Sequence, residues 1–162
     1  MNRMAVLLLF LAAISVSAEA QGVRLGDPYK QVFTTLTSGS YQEITPAVEG
    51  GRQQIVTRRK ENAGGKEVTI REYYGFTKSG VLKTIESHYF CSDEAWIKEF
   101  TLGMHKRFSS QWGQAQYDSQ NNLYYWVTSE EGDLTMAGDR IDPQLRSKYF
   151  SILYTRQSLL SQ

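Results

Sequence analysis

From Asp27 onward the chain alternates between two hydrophobic periods, one of helices and one of strands. Tyr29, Val32, Phe33 and Leu36 stand at i, i+3, i+4 and i+7, which predicts a short amphipathic helix. Asp27 is placed as its N-cap and Pro28 at its first helical position. A Gly/Ser/Pro-rich connection follows, and then the period drops to two. Strands are predicted over 53–60, 67–76 and 81–90, the second with Val68, Ile70, Tyr74 and Phe76 on one face. Ala63-Gly64-Gly65 and Lys78-Ser79-Gly80 read as the turns between them, because glycine accepts the positive φ that tight turns demand.

The same order then recurs. Ser92 is placed as the cap of a second helix, with Asp93 and Glu94 in its first turn and Lys106 and Arg107 in its last, charges that complement the helix dipole. Its core stripe is Trp96 or Ile97, then Phe100, Met104 and Phe108, and Gly113 ends it. Strands follow over 122–128, 134–137 and 148–156, with a turn at Glu130-Glu131-Gly132-Asp133. The predicted fold is α+β: two tandem helix-plus-three-stranded antiparallel meander (αβββ) units, about 25–90 and 92–157, forming a sheet with helices on one face. The repeat rests on element order, since residue identity between the halves is slight. A single irregular α+β sheet with two helices is the competing reading.

Ahead of this domain, Arg3 and the apolar stretch Ala5–Ile14 lead into Ala18-Glu19-Ala20. That is a positive n-region, an h-region too short to span a bilayer, and the small-x-small pattern of a signal-peptidase site. Residues 1–20 are therefore expected to be a cleaved signal peptide and 21–162 a single exported domain, periplasmic in a cell with two membranes and secreted otherwise. No membrane span is expected. Removing Arg3 and Glu19 leaves the net charge at +1, without the basic field that nucleic-acid binding requires. Cys91 is the one cysteine, so no intramolecular disulfide forms.

Certain short motifs resemble those of a known group. Leu25-Gly26-Asp27-Pro28-Tyr29-Lys30-Gln31-Val32 through Leu36 is similar to the short entry helix of the small-protein-A/BamE-like and β-lactamase-inhibitor-like exported bacterial proteins. Tyr74-x-Phe76 followed by Gly80-Val81-Leu82, and Gln111-Trp112-Gly113 followed by Tyr124-Tyr125-Trp126, carry the same likeness. It covers nearly all of the expected mature chain in element order. It departs where the group has a lipid-anchoring cysteine or disulfides. The resemblance implies a non-enzymatic module that binds another envelope or secreted protein through a concave sheet, as an inhibitor or an assembly factor.

Catalytic, cofactor-binding and metal-ligating sets are expected to be absent. Cys91 has only His88 and His105 as bases; His105 lies about 18 Å up the second helix, and His88, three positions earlier on a strand, faces the other way. Asp139, Asp142 and Glu130-Glu131 read as solvated loop carboxylates. Gly64-Gly65-Lys66 lacks the spacing of a phosphate-binding loop.

The aromatics are more informative. Successive strand residues point to opposite faces, so Tyr73-Tyr74 and Tyr124-Tyr125-Trp126 cannot all enter one core. With Tyr74 and Tyr125 toward the helices, Tyr73, Tyr124 and Trp126 stand on the outer face, joined by Arg71. Arg71, Tyr73, Tyr124 and Trp126 are thus the expected partner-binding residues, because Tyr and Trp give large contact area at low entropic cost. The bland alternative is that these aromatics simply cover a twisted sheet. Beside the protein-binding module stand a small-ligand or lipid-binding domain with a cleft between helices and sheet, an enzyme using Cys91, and self-association through a strand edge.

Overall fold

Strand alternation decides the architecture. In the computed structural model, which describes residues 22–120, 123–127, 133–141 and 148–156, the elements run α1 (Tyr29–Thr37), β1 (Glu43–Glu49), β2 (Arg52–Ala63), β3 (Lys66–Phe76), β4 (Leu82–Phe90), α2 (Glu94–Trp112), β5 (Gln116–Asp118), β6 (Leu123–Val127), β7 (Asp133–Ile141) and β8 (Lys148–Arg156). The fold is α+β. All eight strands form one antiparallel sheet in the order β1-β2-β3-β4-β8-β7-β6-β5.

Each helix is followed by four strands, where three were expected. The additional pair, β1 and β5, are the two edges of the sheet. β1 contains Pro46, whose missing N–H is tolerated only where a strand has one neighbour. Its hairpin to β2 turns on Gly50 and Gly51, both with positive φ. β5 is three residues long, and a short edge limits pairing with other chains. The expected signal peptide, the Glu130-Glu131 turn and Asp142 lie outside the described residues, while Asp139 falls within β7.

Both helices cover the same face of the sheet. α1 buries Val32 and Leu36 against Ile55, Tyr74, Phe76, Leu82 and Ile85; α2 buries Phe100, Met104 and Phe108 against Val68, Ile70, Tyr89, Trp126, Phe150 and Ile152. Ile70 and Tyr74 have the same parity on β3, so the two clusters lie side by side under one layer of helices. No helix among the described residues is long and apolar enough to cross a membrane.

Both helix starts differ from expectation by one residue. Pro28 is the residue before α1 and makes no side-chain cap; Asp27 instead accepts from Arg24 N at 2.8 Å. The entry to α1 is held by the backbone of the β3–β4 turn, through Tyr29 N to Gly80 O (2.9 Å), Gly26 N to Leu82 O (2.8 Å) and Leu82 N to Asp27 O (2.9 Å). The Gly26-Asp27-Pro28 and Gly80-Val81-Leu82 motifs are therefore bonded neighbours. α2 is capped by Asp93, not Ser92: its Oδ1 accepts from Trp96 N at 3.1 Å. Since α2 runs to Trp112, Lys106 and Arg107 lie ahead of its last turn, which carries no basic residue.

Between the two apolar clusters runs a polar seam. Thr57, Glu72 and Ser87 stand opposite one another on β2, β3 and β4, all buried. Glu72 Oε2 accepts from Arg59 Nη1 at 2.6 Å, Tyr74 Oη at 3.1 Å and Thr57 Oγ1 at 3.3 Å, and Arg59 Nε reaches Glu61 at 2.8 Å. A charge taken from water is held only by partners of this kind. Burial opposes the charge on Arg59, but the Glu72 and Glu61 carboxylates outweigh it and the guanidinium pKa is raised. Burial, with Glu72 adding, pushes the Tyr41 hydroxyl up to about 12 and those of Tyr74 and Tyr89 higher still.

Candidate functional site: the open face of the sheet

With the even-numbered positions of β3 committed to the helices, its odd-numbered positions point the other way. On that open face the cross-strand partners form rows. One runs Glu43–Arg58–Arg71–His88–Ser151 across β1, β2, β3, β4 and β8; the next runs Thr45–Val56–Tyr73–Glu86–Leu153. Phe90 and Tyr149 form a third pair alongside.

The middle of this face is aromatic. The His88 ring lies 4.7 Å from Tyr73 and 4.6 Å from Tyr149 between centroids, and Tyr149 stacks on Phe90 at 5.0 Å. Arg71 Cζ sits 5.3 Å from the Phe90 ring, within cation–π range. His88 Nε2–H donates to Glu86 Oε1 at 2.7 Å, which fixes the imidazole among its neighbours. Beside the cluster, toward the β1 edge, Glu43, Thr45, Val56, Arg58, Arg71 and Tyr73 line a shallow depression.

Of the four residues expected to share a recognition face, Arg71 and Tyr73 are on the open side and Tyr124 and Trp126 are not. The latter pair occupy the helix side of β6: His105 of α2 packs its ring 4.4 Å from Tyr124 and 5.4 Å from Trp126. Trp126 is 2% exposed, packs on Phe108 and donates its Nε1–H to Gly113 O at 3.2 Å. It is a core residue, and its parity sends Tyr125 to the open face. Tyr124 is 40% exposed at the rim, its ring tilted against that of Tyr117 on the edge strand β5.

His88, Phe90 and Tyr149 were missed as members of the face. The signal was present as alternation, since Glu86, His88 and Phe90 share the parity opposite to Ile85, Ser87 and Tyr89. Which parity was outermost depended on the helices.

The arrangement supplies contact area and charge at fixed positions. His88 and Cys91 are not brought together: His88 is held in the open-face cluster, while Cys91 is half-buried against the hydrophobic cluster under α2. Among the described residues no group of three or more His, Cys, Asp and Glu is placed to hold a metal ion. No family model, curated protein or solved structure matches this chain.

Proposed function

We propose that this protein is an exported, non-enzymatic module that binds another envelope or secreted protein through the open face of its sheet, in the periplasm where the cell has two membranes. The observation that carries the reading is the contiguous cluster Tyr73–His88–Tyr149–Phe90, central in the sheet and on the side that neither helix covers. Ordered aromatics of this kind are what hot spots of protein interfaces are made of. Export is supported by Arg3, the apolar run Ala5–Ile14 and Ala18-Glu19-Ala20. The likeness to the small-protein-A/BamE-like and β-lactamase-inhibitor-like group points the same way.

A tandem origin of the domain belongs to the same proposal. Each helix precedes a run of antiparallel strands, and the last strands of the two runs, β4 and β8, pair at the middle of the sheet.

The test is quantitative capture from an envelope extract by wild type, Tyr73→Ala/Tyr149→Ala and Trp126→Ala. Loss of two interface anchors of about 2 kcal/mol each reduces capture by well over tenfold, with the unfolding midpoint of the double variant near wild type. Trp126→Ala, a core truncation, costs about 3–5 kcal/mol of stability. A folded double variant that captures the same proteins as wild type refutes the reading.

A further inference from the structure

Two arginines stand directly opposite one another on the open face, Arg58 on β2 and Arg71 on β3. Like charges in this register repel and destabilise a sheet. On the same part of the sheet the neighbouring cations are neutralised, Arg59 by Glu72 and Glu61, Lys60 by Glu67, Lys66 by Asp93. Among the described residues Arg58 and Arg71 have no such carboxylate. Arg71 rests on the face of Phe90, and Arg58 Nε is buried with no hydrogen-bond partner. Leaving a charged donor buried and unpaired costs free energy that a fold avoids unless something else satisfies it.

Glu43 is the cross-strand neighbour of Arg58 on the other side and the obvious internal partner. Its carboxylate accepts from Thr45 Oγ1 at 3.2 Å and forms no ion pair with Arg58. The depression therefore brings both arginines together beside Val56 and Tyr73, while Arg58 Nε lies beneath its surface with its donor unused. Guanidiniums present planar forks of N–H groups that match a carboxylate better than any point charge. With a net charge of only +1, the chain has no general anion field, so the attraction is local to this pair.

We infer that Arg58 and Arg71 form a receptor for an acidic side chain of the protein partner, the carboxylate entering the depression beside Tyr73 while the partner's apolar surface covers the aromatic cluster. This deepens the protein-binding reading of the open face and rests on it. Glu43 acts as a rim competitor that weakens the site for anions in general.

The test follows the arginine Nε–Hε correlations of the isotopically labelled protein by NMR at fixed ionic strength. The probes are acetyl-Gly-Glu-Asp-Glu-Gly-amide, its Gln/Asn isostere and inorganic phosphate. The Arg58 Nε–H signal moves and saturates with the acidic peptide and stays still with the isostere. Arg71→Gln weakens that response roughly tenfold, the loss of about one charge-assisted hydrogen bond. Arg58→Lys, read at the backbone amides of Val56 and Tyr73, keeps the charge and loses the fork, and also weakens it. Glu43→Gln strengthens it, and Arg24→Gln, a distant exposed control, leaves it unchanged. Equal responses to the acidic peptide and the isostere overturn the inference, as does saturation by phosphate at a lower concentration than by the peptide. The titration needs no partner, so it fails independently of the capture experiment: capture that depends on Tyr73 and Tyr149 with a silent titration sinks the receptor alone.

Discussion

Glu72 offers the sharpest test of how this fold is held, because one carboxylate oxygen serves three donors in a site only 2% exposed. Glu72→Ala removes the partner of Arg59 Nη1, Tyr74 Oη and Thr57 Oγ1 at once. Breaking a buried ion pair by deleting one member costs about 3–5 kcal/mol. Arg59 keeps Glu61 at 2.8 Å, and the Glu61 side chain is 32% exposed, so part of the charge remains compensated. The expected loss is therefore about 3 kcal/mol, a large share of the roughly 5–15 kcal/mol that holds a domain folded. Urea unfolding reads it as a lower midpoint with an unchanged slope. Arg59→Met/Glu72→Leu recovers most of the loss, since a well-packed apolar pair avoids the desolvation of two ions. A loss below about 1 kcal/mol for Glu72→Ala, or a double variant worse than the single one, would refute the claim that this charge is held by the three contacts described.

Two further outcomes follow from the same structure. Tyr41, Tyr74 and Tyr89 hold their protons above the ordinary tyrosine range, so the stability they contribute is fully present below pH 10 and is lost as pH rises above it, through about 12 for Tyr41 and higher for the other two, because the unfolded chain ionises them first. Urea midpoints at pH 9, 10 and 11 should fall progressively, and a midpoint constant to pH 11 counts against the buried seam. Gly75 sits at the register shift between β3 and β4, where a Cβ would collide with Thr84 Oγ1. Gly75→Ala should cost about 1–3 kcal/mol and Thr84→Ala should restore most of it in a double-mutant cycle, whereas additive effects would mean the contact is not the cause.

The seam was written in the sequence without being read there. In Val68-x-Ile70-x-Glu72-x-Tyr74-x-Phe76 a glutamate occupies a position of the core parity, and Ile55-x-Thr57-x-Arg59 does the same on the adjacent strand. A charge at such a position implies a buried partner, but only strand register joins Glu72 to Arg59. The edge strands were hidden for a related reason. β1 carries Pro46 between glutamates at both its ends, and an edge position is what makes such a proline-containing segment acceptable in a sheet.

Local periodicity determined the two helices, six of the eight strands and the parity of side chains within each strand, because those depend on bonded geometry and on steric preferences a few residues long. The tertiary structure decided which parity faced the helices. In Leu123-Tyr124-Tyr125-Trp126-Val127 both parities are aromatic, so the hydrophobic pattern has nearly equal cost either way. The choice falls to the partner surface: α2 brings Phe108 and His105 against Trp126 and the Gly113 carbonyl to its indole N–H. That contact buries the indole and satisfies its donor together, a pairing that only the packed helix supplies.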